Sequence, residues 1–290
     1  MIKSGFIGAG TVATALAVAL SHKGYPVVAV SSRSQQSTDK LAHLIDDCYP
    51  CDSNQEVADK AELVFITTPD DVIASVVTEI KWRPGQSVVH CSGADSADIL
   101  APAREAGASV GAFHPLQTFA GLRQENLPGI TYALEAEEPL LTTLKEMASA
   151  LGGRWIVLKA EDKILYHTAA VFACNYLITL VKIATDMWQH FGIPPQQATQ
   201  ALLPLLRGTI NNIDATGIPR CLTGPIARGD SGTIKKHMDV LQKAAPELIA
   251  TYRELGLKTI PIALSKVKIN DKQADELEAI LCQPAERKAK

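Results

Sequence analysis

A doubly wound parallel α/β sheet followed by an all-α C-terminal domain is the fold class this 290-residue sequence predicts, on three observations. A glycine-rich loop, Gly8-Ala9-Gly10-Thr11-Val12-Ala13, joins an apolar run to an alanine-rich segment of helical period. Short β-type runs then alternate with helical patterns, as in a parallel sheet with crossover helices. Beyond Lys159 the strand signals largely vanish and helical periods dominate to the end. The boundary is therefore expected near residue 159, with a sheet domain over 1–159 and a helical domain over 160–290.

Taken in order, Ile2–Ile7 is the first strand. The helix after the glycine loop stops at Gly24, and Pro26–Val30 starts the second strand. Ser37–Asp47 is predicted helical, and a third strand position falls beside Cys48-Tyr49-Pro50-Cys51. Leu63–Thr67 is the fourth strand, followed by a helix over Val72–Ile80 that the Arg83-Pro84-Gly85 turn ends. Ser87–Cys91 and Ser109–Phe113 are the next strands, with a helix over Ser96–Ala106 between them. Ile130–Leu134 and Trp155–Leu158 flank a helix over Pro139–Leu151. Lys163–Phe191 then runs without Pro or Gly until Gly192 and the Pro194-Pro195 pair. A helix so apolar must be wrapped by others, from its own domain or a second subunit. Further helices are expected at Gln197–Asp214, Gly232–Leu255 and Asp271–Leu281, and Glu286–Lys290 reads as a frayed tail.

The strand-loop-helix context makes the glycine loop the phosphate end of a Rossmann dinucleotide site. Gly8 permits the tight turn, Gly10 lets backbone approach a pyrophosphate, and Ala13 allows close helix packing. Ala9, Thr11 and Val12 complete the loop, and the helix N-terminus supplies N–H groups for phosphate. An NAD site has an acidic residue about 20 residues further on. Here the second strand ends in Ser31-Ser32-Arg33-Ser34, with no carboxylate before Asp39. Arg33 can pair with a 2′-phosphate, and Ser32 and Ser34 can donate to its oxygens, so NADP is the expected cofactor. The competing reading is a solvated turn.

Bulk composition excludes several classes. The chain is 47% hydrophobic and 20% charged with a net charge of −3, and it carries no basic stripe for nucleic acid. Its first strand begins at the N-terminus, so no secretory or transit peptide is expected, and a cytoplasmic location is. Six cysteines lie mostly in apolar segments and read as reduced thiols. Cys48 and Cys51 lack the second ligand pair that zinc requires, so no metal is expected. The uncharged stretch between Lys163 and Lys182 contains His167 and Asn175, which favour a buried helix over a membrane span.

Ligands of an open α/β sheet bind beyond the carboxyl ends of its strands. Those ends carry the glycine loop, then Thr67-Thr68-Pro69-Asp70, His90-Cys91-Ser92-Gly93-Ala94 and His114-Pro115-Leu116-Gln117-Thr118-Phe119. Thr67, Thr68, Pro69, Ser92 and Gly93 are the expected cofactor contacts there. Cys91 reads as a packing residue rather than a nucleophile. These blocks, with Leu222-Thr223-Gly224-Pro225-Ile226-Ala227-Arg228-Gly229-Asp230, resemble a family of uncharacterised Rossmann-like NADP oxidoreductases with a C-terminal helical domain of unknown function. That family is similar to pyrroline-carboxylate reductase and 6-phosphogluconate dehydrogenase relatives. The resemblance covers nearly the whole chain and implies an NADP-binding domain, a helical dimerising domain and an active site between them.

His114, held by Pro115 at a strand end, is the expected proton carrier. A similar His-Pro contacts the reacting hydroxyl in the prephenate dehydrogenase family. Its alternative is a strand-end histidine bonding backbone. His167 and Asn175 lie two turns apart on the long helix and are expected to orient substrate; satisfied core polar groups are the equal alternative. Related dehydrogenases place a lysine one turn before the asparagine, where this chain has Val171. Arg228 is the expected clamp for an anionic substrate group, against a turn in which Arg228 pairs with Asp230 and Asp230 caps a helix. The expected function is hydride transfer between NADP(H) and a small carbonyl or imine substrate, in a homodimer formed through the helical domain. An NADPH-binding regulator or redox sensor, and a prephenate-dehydrogenase-like hydroxy acid dehydrogenase, are the alternatives.

Overall fold

The computed structural model describes residues 1–120 and 127–282; the tail expected at 286–290 lies outside them. The chain divides into two compact units, Met1–Tyr176 and Leu177–Lys290.

The first unit contains β1 (Ser4–Ile7), α1 (Thr11–His22), β2 (Val27–Ser31), α2 (Gln35–Ala42), β3 (Tyr49–Pro50), α3 (Asn54–Lys60), β4 (Leu63–Ile66) and α4 (Ile73–Glu79). It continues with β5 (Ser87–His90), α5 (Ala101–Glu105), β6 (Ser109–Pro115), β7 (Thr131–Ala136), α6 (Leu140–Ala150), β8 (Arg154–Val157) and α7 (Lys163–Ala173). The strands form one sheet in the order β3-β2-β1-β4-β5-β6-β7-β8. Strands β1 and β4 are buried throughout, as expected where helices cover both faces of a parallel sheet. Successive residues face opposite layers. Phe6 stacks on Phe65 at 4.8 Å in the layer holding α1 and α6, while Ile7 joins Val57 and Ile73 in the other. Gly5 keeps β1 close to α3, since a Cβ there would lie 2.7 Å from Val57 Cγ1.

Two features of this unit differ from the sequence expectation. Strand β7 pairs antiparallel with β6, so the sheet is parallel only in the main. A parallel pair needs a crossover, and no helix occurs among the described residues between these strands. Helix α3 is additional, and Ser53 caps it by accepting from the Glu56 N–H at 3.2 Å. Ser53 and Glu56 stand at the S-x-x-E spacing legible in the sequence, with Ser53 Oγ donating to Glu56 Oε1 at 3.0 Å.

The strands stop before residue 159, yet the first unit runs on to Tyr176. The reason is α7, whose Lys163 and Tyr166 side chains bond to groups at the ends of β5 and β6. The single helix expected over 163–191 is broken at Cys174 (φ −112°, ψ −66°), and α8 (Asn175–Gln189) follows.

The second unit contains α9 (Pro195–Thr216), α10 (Ser231–Ala244), α11 (Ile249–Ser265) and α12 (Asp271–Cys282). The helix expected over 232–255 is also two. Pro246 supplies no N–H, and Ala245 before it leaves the helical region (φ −154°, ψ 63°), which separates α10 from α11. Ile234, Ile260, Leu277 and Leu281 form the core of this unit. The stretch 160–189 is long and apolar enough to cross a membrane by length and composition. Ile164, Leu165, Phe172 and Ile178 of this stretch are exposed among the described residues, as are Leu205 and Ile210 of α9.

Candidate active site

The carboxyl ends of the parallel strands carry two pockets in the first unit. The first, of 420 Å³, lies over the glycine loop and is lined by Gly8–Gly10, Ser32–Ser34 and Thr67–Pro69, together with Asn54 and neighbouring α4 residues. Gly8 adopts φ +108°, and a Cβ there would lie 2.8 Å from the Thr67 backbone, so only glycine fits. Thr67 Oγ1 stands 3.1 Å from both the Ile7 and Gly8 carbonyls and ties the loop to β4. Gly10 is the N-cap of α1 without a side-chain cap, and its missing Cβ would meet nothing within 4 Å. The loop therefore presents backbone that no side chain covers.

At the other end of this groove Arg33 is exposed and makes no ion pair among the described residues. The serines beside it already have local partners. Ser34 caps α2 through the Ser37 N–H, and Ser32 Oγ donates to the Ser34 carbonyl at 3.1 Å. Asn54 is a groove residue that sequence reasoning missed; it accepts from Ser31 Oγ at 2.8 Å. Thr11 and Val12 begin α1 beside the groove without lining it, and Ser92 and Gly93 lie at the end of β5, also outside it.

The second pocket, of 570 Å³, contains His114, Tyr166, His167 and Asn175, with Gln117 and an apolar wall from Ala169 to Cys174. His167, Val171 and Asn175 recur at helical spacing and line the same space, although the break at Cys174 divides them between α7 and α8. The His114 and His167 rings meet edge to face with centroids 6.5 Å apart. Gly93 lies between them, since a Cβ on it would stand 2.8 Å from both His114 Nε2 and His167 Cδ2. His114 Nδ1 lies 2.7 Å from the Tyr166 hydroxyl. Burial, then the Lys163 charge, then His167 and His90 push the His114 imidazole down to about 4, so it is neutral at physiological pH.

Lys163 is the residue that the sequence did not bring forward. It begins α7, its side chain is 1% exposed, and its Nζ donates to the Ser92 carbonyl at 3.0 Å. Burial lowers its pKa, while Glu135, Cys91, Asp95 and Asp70 act in the opposite direction. His90, at the end of β5, has a defined tautomer. Its Nδ1 accepts the Ser92 N–H at 3.1 Å, so Nε2 carries the proton and donates to the Ser96 carbonyl at 3.2 Å. Ser92 Oγ stands 2.9 Å from both Asp70 and Asp95 and accepts from the Ala94 and Asp95 N–H groups, which orders the loop beneath the imidazoles.

Burial pushes the Cys91 and Cys48 thiols up to about 12, and Cys51 upward as well, so none is a thiolate at neutral pH. In the second unit Arg228 stands 3.8 Å from Asp230, with 65% of its side chain exposed. Asp230 caps α10 through the Thr233 N–H at 3.0 Å. This is the turn-and-cap arrangement weighed above, with the guanidinium still open to solvent.

Comparison with known proteins matches residues 1–115 to a Rossmann-like domain and residues 130–259 to a domain of unknown function, DUF2520. No curated protein matches the chain. Among solved structures, the "putative NADP oxidoreductase BF3122" of Bacteroides fragilis is 27% identical, with 90% of this chain and 98% of that one covered and a TM-score of 0.70. Protein TM1727 of Thermotoga maritima is 24% identical over 91% and 99% of the two chains, with a TM-score of 0.74. A pyrroline-5-carboxylate reductase of Coxiella burnetii is 19% identical over 95% and 98%, with a TM-score of 0.61.

Proposed function

Because the chain joins a Rossmann-like domain to a DUF2520 domain, we propose that it is an NADP-dependent oxidoreductase acting on a small carbonyl or imine compound. The observation that carries this reading is the pairing of an open glycine-loop groove with a histidine-lined pocket, both at the strand ends. The name of the Bacteroides relative supports the same reading.

The groove fits the cofactor. Gly8 and Gly10 would leave backbone for the pyrophosphate, and the exposed Arg33 would hold a 2′-phosphate. When bound, the nicotinamide supplies or accepts the hydride. The chain's own residues bind, orient and protonate. Thr67 holds the glycine loop in place, and Thr68 and Pro69 line the groove. Gly93 makes room for two imidazoles. His167 and Asn175 orient the substrate, and His114 carries the proton that accompanies hydride transfer. Arg228 offers an exposed guanidinium for an anionic group. The exposed apolar residues of α8 and α9 support a homodimer through the helical unit, and the free thiols suit a reducing compartment such as the cytoplasm.

The test is titration of NADPH and NADH into the purified protein and its Arg33→Ala variant, followed by imines and oxo compounds with NADPH present. Tight NADPH binding weakened by Arg33→Ala, with substrate-dependent NADPH loss, supports the proposal. Equal or absent binding of both nucleotides overturns it.

A further inference from the structure

Sequence reasoning singled out His114 and left open how a proton would reach it. The Tyr166 hydroxyl, one helix away, lies 2.7 Å from His114 Nδ1, with the two rings edge to face at 5.6 Å. We propose that Tyr166 is a positioning residue that holds the His114 proton on Nε2 and reloads the imidazole through Nδ1. The inference rests on the oxidoreductase reading above and adds the source of its proton.

Three observations carry it. Burial pushes the Tyr166 phenol up to about 12, so its oxygen keeps a proton, and that proton needs an acceptor. Nδ1 is the acceptor in reach, and an aromatic ring nitrogen accepts from a phenol readily. Second, the opposite edge of the His114 ring lies against Gly93, which has no side chain to cover Nε2. Third, the groups facing His114 oppose a positive ring: the Lys163 ammonium, His167 and His90 all act in that direction, on top of burial. An imidazolium is therefore not the resting acid. A neutral ring can give up its Nε2 proton only if Nδ1 gains one as it does so.

The proton balance is explicit. With NADPH as the reductant that would supply the hydride to a C=O or C=N carbon, the His114 Nε2–H bond breaks and an O–H or N–H bond forms on the product. The Tyr166 O–H bond breaks and Nδ1–H forms. A solvent proton taken up at Nε2 returns the Nδ1 proton to the Tyr166 oxygen, which burial keeps protonated at rest, so one proton is consumed per hydride.

The experiment does not require a known substrate. The full chain is labelled with nitrogen-15 histidine, and long-range proton–nitrogen correlation spectra are recorded from about pH 5 to about pH 8, where ordinary histidines titrate. His114→Asn identifies the His114 signals. The expected result is a neutral His114 with its proton on Nε2 throughout, and a mixture of both tautomers in Tyr166→Phe. His90, whose tautomer is fixed by backbone, serves as the control that the variant is folded. A proton on Nδ1 in the parent, or an unchanged tautomer in Tyr166→Phe with His90 intact, overturns the proposal. Failure of the NADPH titration alone leaves these spectra unaffected and points to the functional reading instead.

Discussion

Lys163 Nζ donates to the carbonyl of Ser92 at 3.0 Å, joining residues 71 positions apart through an almost fully buried ammonium. The bond pins the start of α7 to the loop after β5, on the side where His114 and His167 meet. Replacing Lys163 with Ala is expected to cost about 2–4 kcal/mol, from a lost charged hydrogen bond and the space left behind. Lys163→Met, which fills the volume, is expected to cost less than half of that. Urea unfolding of the two variants checks the difference.

Protonation supplies the second expectation. Burial holds His90 down at about 4, against an ordinary value of 6.5. A depressed histidine contributes stability above its unfolded value and loses that contribution as pH falls toward the folded one. The contribution of His90 is therefore complete above pH 6.5 and declines down to about 4, by roughly 3 kcal/mol in all. His114 adds to the loss over the same interval. Urea midpoints measured across this range should fall with acidification, and His90→Gln should make the decline shallower. A flat profile would mean that His90 and His114 titrate alike in the folded and unfolded chains.

Two glycines separate folding from binding. Gly10→Ala introduces a methyl with nothing within 4 Å, so its stability should match the parent within about 0.5 kcal/mol while NADPH affinity falls. Gly93→Ala drives a methyl against His114 and His167, so about 1–3 kcal/mol of stability should be lost and the His114 resonances displaced. Thermal melts with and without NADPH distinguish the two effects.

If Arg33 holds the 2′-phosphate as proposed, Arg33→Ala is expected to weaken NADPH binding by roughly 10–100-fold and leave NADH unchanged. Fluorescence titration reads both constants. An equal loss for both nucleotides would mean that Arg33 stacks on the adenine instead.

The apolar residues left exposed on α8 and α9 predict a dimer in solution. Light scattering should give twice the chain mass, and Ile178→Glu with Leu205→Glu should yield monomers. A monomeric parent protein would refute this arrangement.

The parts of this protein legible in its sequence are those that a local backbone requirement determines. The glycine loop, the His114-Pro115 strand end and the Asp230 cap each solve a problem within a few residues, and each occurs where its pattern placed it. Helix α3 was equally legible through Ser53 and Glu56. The break at Cys174 has no proline or glycine to announce it. Lys163 and Tyr166 acquire their roles only because α7 reaches strand ends 71 and 52 positions away. In the sequence they are an ordinary lysine and tyrosine on an apolar helix.

Lys163 holds the loop after β5 and also keeps a positive charge off the His114 ring. A single replacement at this position would therefore act on two properties at once. An apolar substitute that preserved the fold would remove one cause that lowers the His114 pKa and leave burial, the larger one, in place. Such a variant would lose a modest part of its stability and, separately, respond differently to acidification. A melting temperature would then report one of the two properties changed at position 163 and miss the other.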